Sequence, residues 1–230
     1  MQDSPYFSLP YPFILGTDVA GTIVKLGPGV TRFSIGQRVL AHCDSLLVQH
    51  AHRAGFQNYT VCREILVAPV PDSMPLANAA VLPLSIDTAA TGLFKHLKLP
   101  LPSVDPKPTG KSILIWGGSS SVGSSAIQLA VAAGYTVVTT AGAKNHAYVT
   151  SLGATYAFDY NDPNIVVTAL KVLKSGDVVF DATGETSAQK ACADIVHKLG
   201  GGKLATTLWP LPTGYGDVEG VMSTCIYMLL

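Results

Sequence analysis

Charge is scarce in this chain. Only 13% of its 230 residues are Asp, Glu, Lys or Arg, and the 15 basic side chains match the 15 acidic ones, so the formal net charge is zero. That balance excludes an electrostatic grip on nucleic acid or on an anionic membrane as the main activity. With 48% hydrophobic residues the composition is also far from that of a disordered chain. Cysteine is sparse: Cys43, Cys62, Cys192 and Cys225 form no close pair and no disulfide framework. A reducing compartment is the expectation. The opening Met1-Gln2-Asp3-Ser4-Pro5 carries neither the basic nor the apolar part of a secretory leader, so a cytoplasmic location is expected. The longest charge-free stretch, residues 112–143, is interrupted by Gly117-Gly118, a run of serines and Gly134. Those breaks come too often for a bilayer-spanning helix; strand, glycine turn, helix and strand account for them.

Up to about residue 82 the pattern is one of short strands and turns. Candidate strands cover residues 19–26, 38–41, 59–62 and 65–70, with Gly27-Pro28-Gly29 as a turn and Pro69 and Pro71 closing the last. Such punctuation predicts an antiparallel barrel or sandwich. Asp87 is a candidate cap for a helix carrying Thr88, Ala89, Leu93 and Phe94. Pro100, Pro102, Pro106 and Pro108 then mark a surface loop.

From Ser112 strands and helices alternate. Strands are predicted over 112–116, 136–140, 156–159, 178–181 and 203–208. Between them come helices over 124–133, from a cap at Asn145 to Gly153, from a cap at Asp162-Pro163, and from a cap at Ser187. Alternation on this scale predicts a doubly wound parallel sheet with helices on both faces.

Chemistry concentrates in Trp116-Gly117-Gly118-Ser119-Ser120-Ser121-Val122-Gly123, between the first of these strands and its helix. The spacing of Gly118, Ser120 and Gly123 is that of the dinucleotide fingerprint, with serine replacing the middle glycine. Glycines allow the tight turn and the close packing of helix on strand, while the helix start offers backbone N–H groups to a pyrophosphate. Ser120 and Ser121 can add hydroxyl donors. An NAD site places a carboxylate about 20 residues further on, at the end of the second strand, to bind the ribose diol. Here that position falls in Thr140-Ala141-Gly142-Ala143-Lys144, which has no carboxylate but does have a lysine. With Tyr160 at the end of the third strand, this predicts NADP(H). The alternative is that Lys144 is merely a solvated lysine and Tyr160 a half-buried aromatic.

Metal chemistry has little support. His50 and His52, with His42 and Cys43 nearby, match no usual zinc spacing, and Asp44, Cys62, Cys192 and Cys225 complete no ligand set. Gly16-Thr17-Asp18 reads as a local turn rather than a carboxylate site. No Gly-x-Ser-x-Gly nucleophile elbow occurs.

Six stretches together resemble the medium-chain dehydrogenase/reductase superfamily, in particular its zinc-independent quinone and enoyl reductase branch, including fungal enoyl-reductase-like proteins. They are Gly16-Thr17-Asp18-Val19-Ala20-Gly21-Thr22-Ile23-Val24, Gly36-Gln37-Arg38-Val39, Ala79-Ala80-Val81-Leu82-Pro83, Thr88-Ala89-Ala90-Thr91-Gly92-Leu93, Trp116 through Gly123, and Phe158-Asp159-Tyr160. The resemblance implies an α/β chain in which a partial GroES-like β-barrel domain (1–86) precedes a Rossmann NADP-binding domain (87–230). It implies that Gly117, Gly118, Ser119, Ser120, Ser121, Val122 and Gly123 hold the pyrophosphate, that Ala141, Gly142, Lys144 and Tyr160 hold the adenosine 2′-phosphate, and that Thr88 lies near the nicotinamide. Zinc-dependent members carry a ligand histidine where this chain has Thr17, and the four-cysteine zinc lobe has no counterpart here, so no metal is implied. The expected activity is hydride transfer from NADPH to an activated C=C or a quinone, with a small-molecule substrate and a possible homodimer. No catalytic side chain is identifiable. Against the family pattern, segments are expected to be missing at both ends, and the competing reading is a nucleotide-binding remnant or accessory protein without turnover.

Overall fold

The computed structural model describes residues 9–208, 210 and 213–224. The opening pentapeptide and Cys225 lie outside the described residues. The chain divides into two units, Met1–Leu84 and Ser85–Leu230.

The first unit is built on three antiparallel strands, β1 (Asp18–Thr22), β2 (Arg38–His42) and β3 (Val67–Pro69), in the order β1-β2-β3. Ala20 pairs with Leu40, and Leu40 with Ala68. The first strand was expected to run further; its ladder stops at Thr22, although Ile23 still exchanges hydrogen bonds with Gln37 and Gly36. Residues 59–62 are not a strand. Their backbone is tied instead to the 3₁₀ turn Ala51–Arg53 of the same unit, through Val61 N–H to the His52 carbonyl at 3.0 Å. The amide of Gln57 also spends its donors on the carbonyls of Ala51 and Ala54. Residues 65 and 66 of the predicted fourth strand belong instead to another 3₁₀ turn, Glu64–Leu66, leaving β3 as an edge strand that tolerates Pro69. Two short helices, α1 (Ser45–Val48) and α2 (Leu76–Ala79), complete the unit.

Helix α3 (Pro83–Ala90) starts four residues before the expected cap at Asp87. Proline fits the first helical position because its missing N–H would have no partner there. Asp18 caps the helix from a distance: its Oδ1 accepts the Leu84 N–H at 2.6 Å, so this aspartate is more than a local turn residue. The helical path continues through a wide turn, Thr91–His96, in which Leu97 N–H reaches back to Gly92 O. Gly92 is required there: a Cβ would lie 2.6 Å from the Phe180 ring and 2.8 Å from Ser223 Oγ. The run Leu76–His96 is long and apolar enough by composition to cross a membrane, but Ala89 and Leu93 are fully buried in the core of the second unit.

That second unit holds a six-stranded parallel sheet of β4 (Ser112–Trp116), β5 (Thr136–Thr140), β6 (Tyr156–Phe158), β7 (Val178–Asp181), β8 (Gly202–Thr206) and β9 (Val218–Met222). The order is β6-β5-β4-β7-β8-β9, the doubly wound order whose direction reverses at β4. The charge-free stretch is therefore β4, a helix and β5. Strand pleating sorts the core: Ile113 and Ile115 join Ile127, Val137 and Phe180 on one face, while Leu114 and Trp116 join Val138, Val179, Ile195 and Leu204 on the other. Helices α4 (Ser121–Ala132), α5 (His146–Ser151), α6 (Ile165–Leu170) and α7 (Thr186–Lys198) connect the strands. Helix α6 begins at Ile165 rather than at Pro163, because Asp162 Oδ1 takes the Asn164 N–H in a side-chain turn first. Strand β9 went unanticipated: Val-Glu-Gly-Val-Met has no clean alternation, and only its parallel register against β8 reveals it.

Candidate functional site

The glycine–serine loop leaves β4 at its C-terminal end, beside the reversal point of the sheet, where open α/β folds bind ligands. Three glycines are required by what surrounds them. Gly117 has φ +78°, and a Cβ on it would lie 2.3 Å from the Thr183 methyl. A Cβ on Gly118 would strike Thr139 Oγ1 at 2.1 Å, and one on Gly123 would strike the Gly117 carbonyl oxygen at 2.2 Å. Helix α4 therefore starts nearly in contact with the strand it follows.

Hydrogen bonds fix which donors remain. Thr140 accepts the Gly117 N–H on its side chain at 3.0 Å and the Gly118 N–H on its carbonyl at 2.8 Å. Ser120, in the middle-glycine position, caps the helix: its Oγ accepts the Gly123 N–H at 3.0 Å. That cap begins α4 at Ser121 rather than at the expected Ser124. Ser124 Oγ donates to the Gly118 carbonyl and accepts from the Tyr148 hydroxyl of α5. The N–H groups of Ser119, Ser121 and Val122 have no partner among the described residues. Three backbone donors, the Ser121 hydroxyl and the positive end of a twelve-residue helix thus share one mouth. An anion of diphosphate size suits them.

The neighbouring strands supply the rest. Ala141, fully buried, follows β5 and donates its N–H to Phe158 O, which ties the ends of β5 and β6 together. A Cβ on Gly142 would lie 3.8 Å from both Cε1 and the hydroxyl of Tyr160, so this phenol stands beside the Gly142 backbone. Lys144 is exposed in the following 3₁₀ turn, Ala143–Asn145. These predicted residues thus gather at the C-terminal ends of β4, β5 and β6. Thr88 is buried in α3, and its carbonyl accepts a hydrogen bond from Ser223 Oγ at 2.6 Å.

Four supporting residues escaped the sequence reading. Thr139 and Thr140 clasp the loop, Thr139 through its bond to Ile115 O. Asp181, fully buried at the end of β7 and paired with Trp116 across the sheet, accepts from Thr183 N–H and Oγ1, Gly184 N–H and Thr206 Oγ1. It holds Thr183 against Gly117. A carboxylate ending an otherwise apolar strand, Val-Val-Phe-Asp, is the signal that points to it.

The residues where a catalytic zinc would be sought do not fit one. Thr17 Oγ1 donates to Asp18 Oδ2 at 2.7 Å, and the other oxygen of Asp18 caps α3. Asp44, 3% exposed, is taken by Arg53 at 2.6 Å. His50 and His52 stack on each other with centroids 5.4 Å apart. Among the described residues no three His, Cys, Asp or Glu side chains converge.

Comparison with known proteins fits this geometry. Residues 1–72 match the family model of the alcohol dehydrogenase GroES-like domain, and residues 121–206 that of the zinc-binding dehydrogenase. A trans-enoyl reductase of Aspergillus japonicus, himH, is 60% identical over 210 residues, which are 91% of this chain and 61% of that protein. Among solved structures, an NAD-dependent alcohol dehydrogenase superposes with a TM-score of 0.72 at 25% identity, covering 98% of this chain and 72% of its own. A mycobacterial protein, Rv1454c, solved with NADPH, superposes with a TM-score of 0.69 at 25% identity, covering 94% and 67%. The chain spans about three fifths of the length of the curated relatives it matches.

Proposed function

The chain belongs to the medium-chain dehydrogenase/reductase superfamily, and from that premise we propose that it is an NADPH-dependent oxidoreductase of the enoyl reductase or quinone reductase type, working without zinc. The observation that carries this reading is the loop after β4, whose free N–H groups sit at one helix mouth with no carboxylate at the end of β5 to claim a ribose diol. In this reading Ser119, Ser121 and Val122 grip the diphosphate through backbone N–H groups, with Gly117, Gly118 and Gly123 keeping the approach open. Ser120 holds the helix start rather than the ligand. Lys144 attracts a 2′-phosphate by charge, Tyr160 walls that pocket beside Ala141 and Gly142, and Thr88 belongs to the nicotinamide side. When bound, the reduced nicotinamide supplies a hydride to an electron-poor carbon of an activated C=C or a quinone. The absence of a zinc ligand set at Thr17 and Asp18 supports chemistry without a Lewis acid from the protein.

The division of labour proposed is a substrate-side domain over residues 1–86 and a cofactor domain over 87–230. A small-molecule substrate and a homodimer accompany it, and the free thiols of Cys43, Cys62 and Cys192 support a reducing, cytoplasmic setting. The test is a fluorescence titration of the purified chain with NADPH and with NADH, followed by coenzyme oxidation with enoyl thioesters and quinones. NADPH is expected to bind more tightly, and Lys144→Ala to weaken NADPH roughly fivefold while leaving NADH unchanged, the loss of about 1 kcal/mol of screened attraction. Equal or tighter binding of NADH refutes the NADPH assignment. Binding without any turnover favours the second reading, an accessory nucleotide-binding protein.

A further inference from the structure

The adenosine side of the proposed coenzyme site holds a titratable ring with no part yet assigned to it. We propose that His146 makes the choice of coenzyme pH-dependent: its protonated ring adds a second positive charge to the loop of Lys144, so the preference for NADPH over NADH grows as pH falls from 8 to 6. This regulation rests on the coenzyme assignment made above.

His146 is the first residue of α5 and directly follows the 3₁₀ turn that carries Lys144. Asn145, the expected cap, makes no side-chain bond to the helix; its N–H closes the turn onto Gly142 O at 2.8 Å. His146 reaches back over that turn, and its Nε2 lies 3.0 Å from Ala141 O. Ala141 is itself held by its N–H on Phe158 O at 2.9 Å. The half-buried ring is therefore pinned to the short loop, Ala141 to Lys144, that the coenzyme assignment gives to the 2′-phosphate.

The partner of Nε2 decides where protons can sit. A carbonyl oxygen only accepts, so Nε2 carries the hydrogen of the neutral ring and Nδ1 holds the lone pair. A second proton can arrive only at Nδ1. Protonation thus leaves the tie to Ala141 in place and turns the ring into a cation where it stands.

The neighbouring groups do not duplicate this. Lys144 comes from the 3₁₀ turn, and Tyr148 from α5 itself, where its hydroxyl donates to Ser124 Oγ at 3.2 Å. Strand β6, packed on α5, brings Tyr156, and the chain just past it brings Asp159 and Tyr160. Asp159 Oδ1 accepts from the backbone and side-chain N–H groups of Asn161, both at 2.9 Å. Strand β5 and helix α4 contain no titratable residue. Histidine is the one side-chain type in this set whose ordinary titration falls between pH 5 and 8. NADPH and NADH differ by the 2′-phosphate alone, so a charge gained beside it appears in the ratio of their affinities, while its pull on the shared diphosphate cancels. One unit charge within about 10 Å of a phosphate changes affinity about threefold in water-like surroundings.

Fluorescence titrations of the full chain with NADPH and with NADH, at pH 8 and pH 6 in low-salt buffer, give that ratio for the parent and for His146→Gln. Glutamine can keep an N–H on Ala141 O without the charge, and the titration of the phosphate itself affects both proteins alike. Between pH 8 and pH 6 the parent's ratio should rise about threefold relative to the variant's. Nitrogen NMR of the His146 ring in the unmodified chain needs neither coenzyme nor variant, and should show the hydrogen on Nε2 at pH 8. Saturation with NADPH, but not with NADH, should move the titration of this ring to higher pH, as reciprocity of binding requires. The proposal is overturned if the neutral ring carries its hydrogen on Nδ1, if the two ratios change in parallel, or if both coenzymes leave the ring titrating alike. A parent that prefers NADPH at pH 8 and loses that preference in Lys144→Ala upholds the coenzyme assignment even where His146 fails these tests. No preference for NADPH at either pH overturns both.

Discussion

Replacing Gly123 with alanine is a test in which two physical rules give opposite signs. Gly123 is the third residue of α4. On helix propensity alone, glycine to alanine in a helix stabilises by about 1 kcal/mol. The structure predicts the reverse. The new Cβ would lie 2.2 Å from the Gly117 carbonyl oxygen, 2.8 Å from the Gly118 Cα and 2.9 Å from the Gly117 carbonyl carbon. All three obstacles are backbone, so no side chain can swing aside, and the start of the helix must retreat by about 1 Å to reach ordinary contact. Overpacking costs about 1–3 kcal/mol; against three backbone obstacles the upper part of that range applies, about 2–3 kcal/mol, which overturns the propensity gain and leaves a net loss of about 1–2 kcal/mol.

Gly118→Ala provides the control. Its Cβ meets a side-chain atom, Thr139 Oγ1 at 2.1 Å, with Ile127 Cδ1 at 2.9 Å. Thr139→Ala removes the first obstacle and by itself costs about 1 kcal/mol through its lost bond to Ile115 O. The double variant should therefore be more stable than the sum of the singles by about 1 kcal/mol or more. Urea unfolding of the four proteins measures that coupling, and coenzyme titration of Gly123→Ala should show weakened binding, because the N–H groups of Ser121 and Val122 move with the helix start. A Gly123→Ala protein as stable as the parent, or strictly additive Gly118 and Thr139 changes, would refute the close strand–helix contact.

Other substitutions probe the supports. Asp181→Ala should destabilise the second unit by about 3 kcal/mol in chemical denaturation, because it strands donors from Thr183, Gly184 and Thr206, with Asp181→Asn losing less; equal losses would argue against the carboxylate as organiser. Ser120→Ala should lower stability by about 1 kcal/mol and Ser120→Gly by only a few tenths, as a capping role requires; identical unfolding midpoints for the two variants would contradict it. His96 is held below its ordinary pKa, first by burial and then by Lys95, Lys203 and Lys98. The unfolded chain therefore binds the proton more readily, so the stabilisation is complete above about pH 6.5 and is lost as pH falls from there through the folded pKa. Thermal unfolding between pH 7 and pH 5 should show this decline, and His96→Asn should flatten it; an unchanged slope in the variant rules out His96 as its source.

Legibility followed periodicity. The cores of β4, β5 and β7 were readable because strands buried on both faces must be apolar without a break, and Ser-Ile-Leu-Ile-Trp and Thr-Val-Val-Thr-Thr are nearly so. Strand β9 was not, since Glu219 and Gly220 blur its pattern and only the edge position beside β8 explains it. Residues 59–62 have the composition of a strand, but Thr60 and Val61 take partners in the turn at His52 instead. Helix starts shifted where a distant group supplied the cap: Asp18 for α3 is 65 positions from Pro83 and belongs to no local window. The loop glycines were legible as a motif, whereas their partners Thr139, Thr140, Thr183 and Asp181 were not, because each acts across strand pairings that a linear reading lacks.

That distribution of partners bears on how the assignment should be tested. Every group that shapes the proposed diphosphate and 2′-phosphate sites, from Gly117 to Thr183, belongs to the second unit, which has its own sheet and its own two-sided core. Affinity for the coenzyme therefore depends on one unit. Turnover also needs a substrate site and a proton route, and no side chain yet stands assigned to either. A mutation such as Gly123→Ala that weakens NADPH binding acts on the loop whether or not the chain turns over substrate. Failure to oxidise NADPH, by contrast, would leave the loop assignment intact so long as the Lys144→Ala shift in affinity is observed. Binding is accordingly the measurement that bears on the site, and rate the one that separates a reductase from a nucleotide carrier.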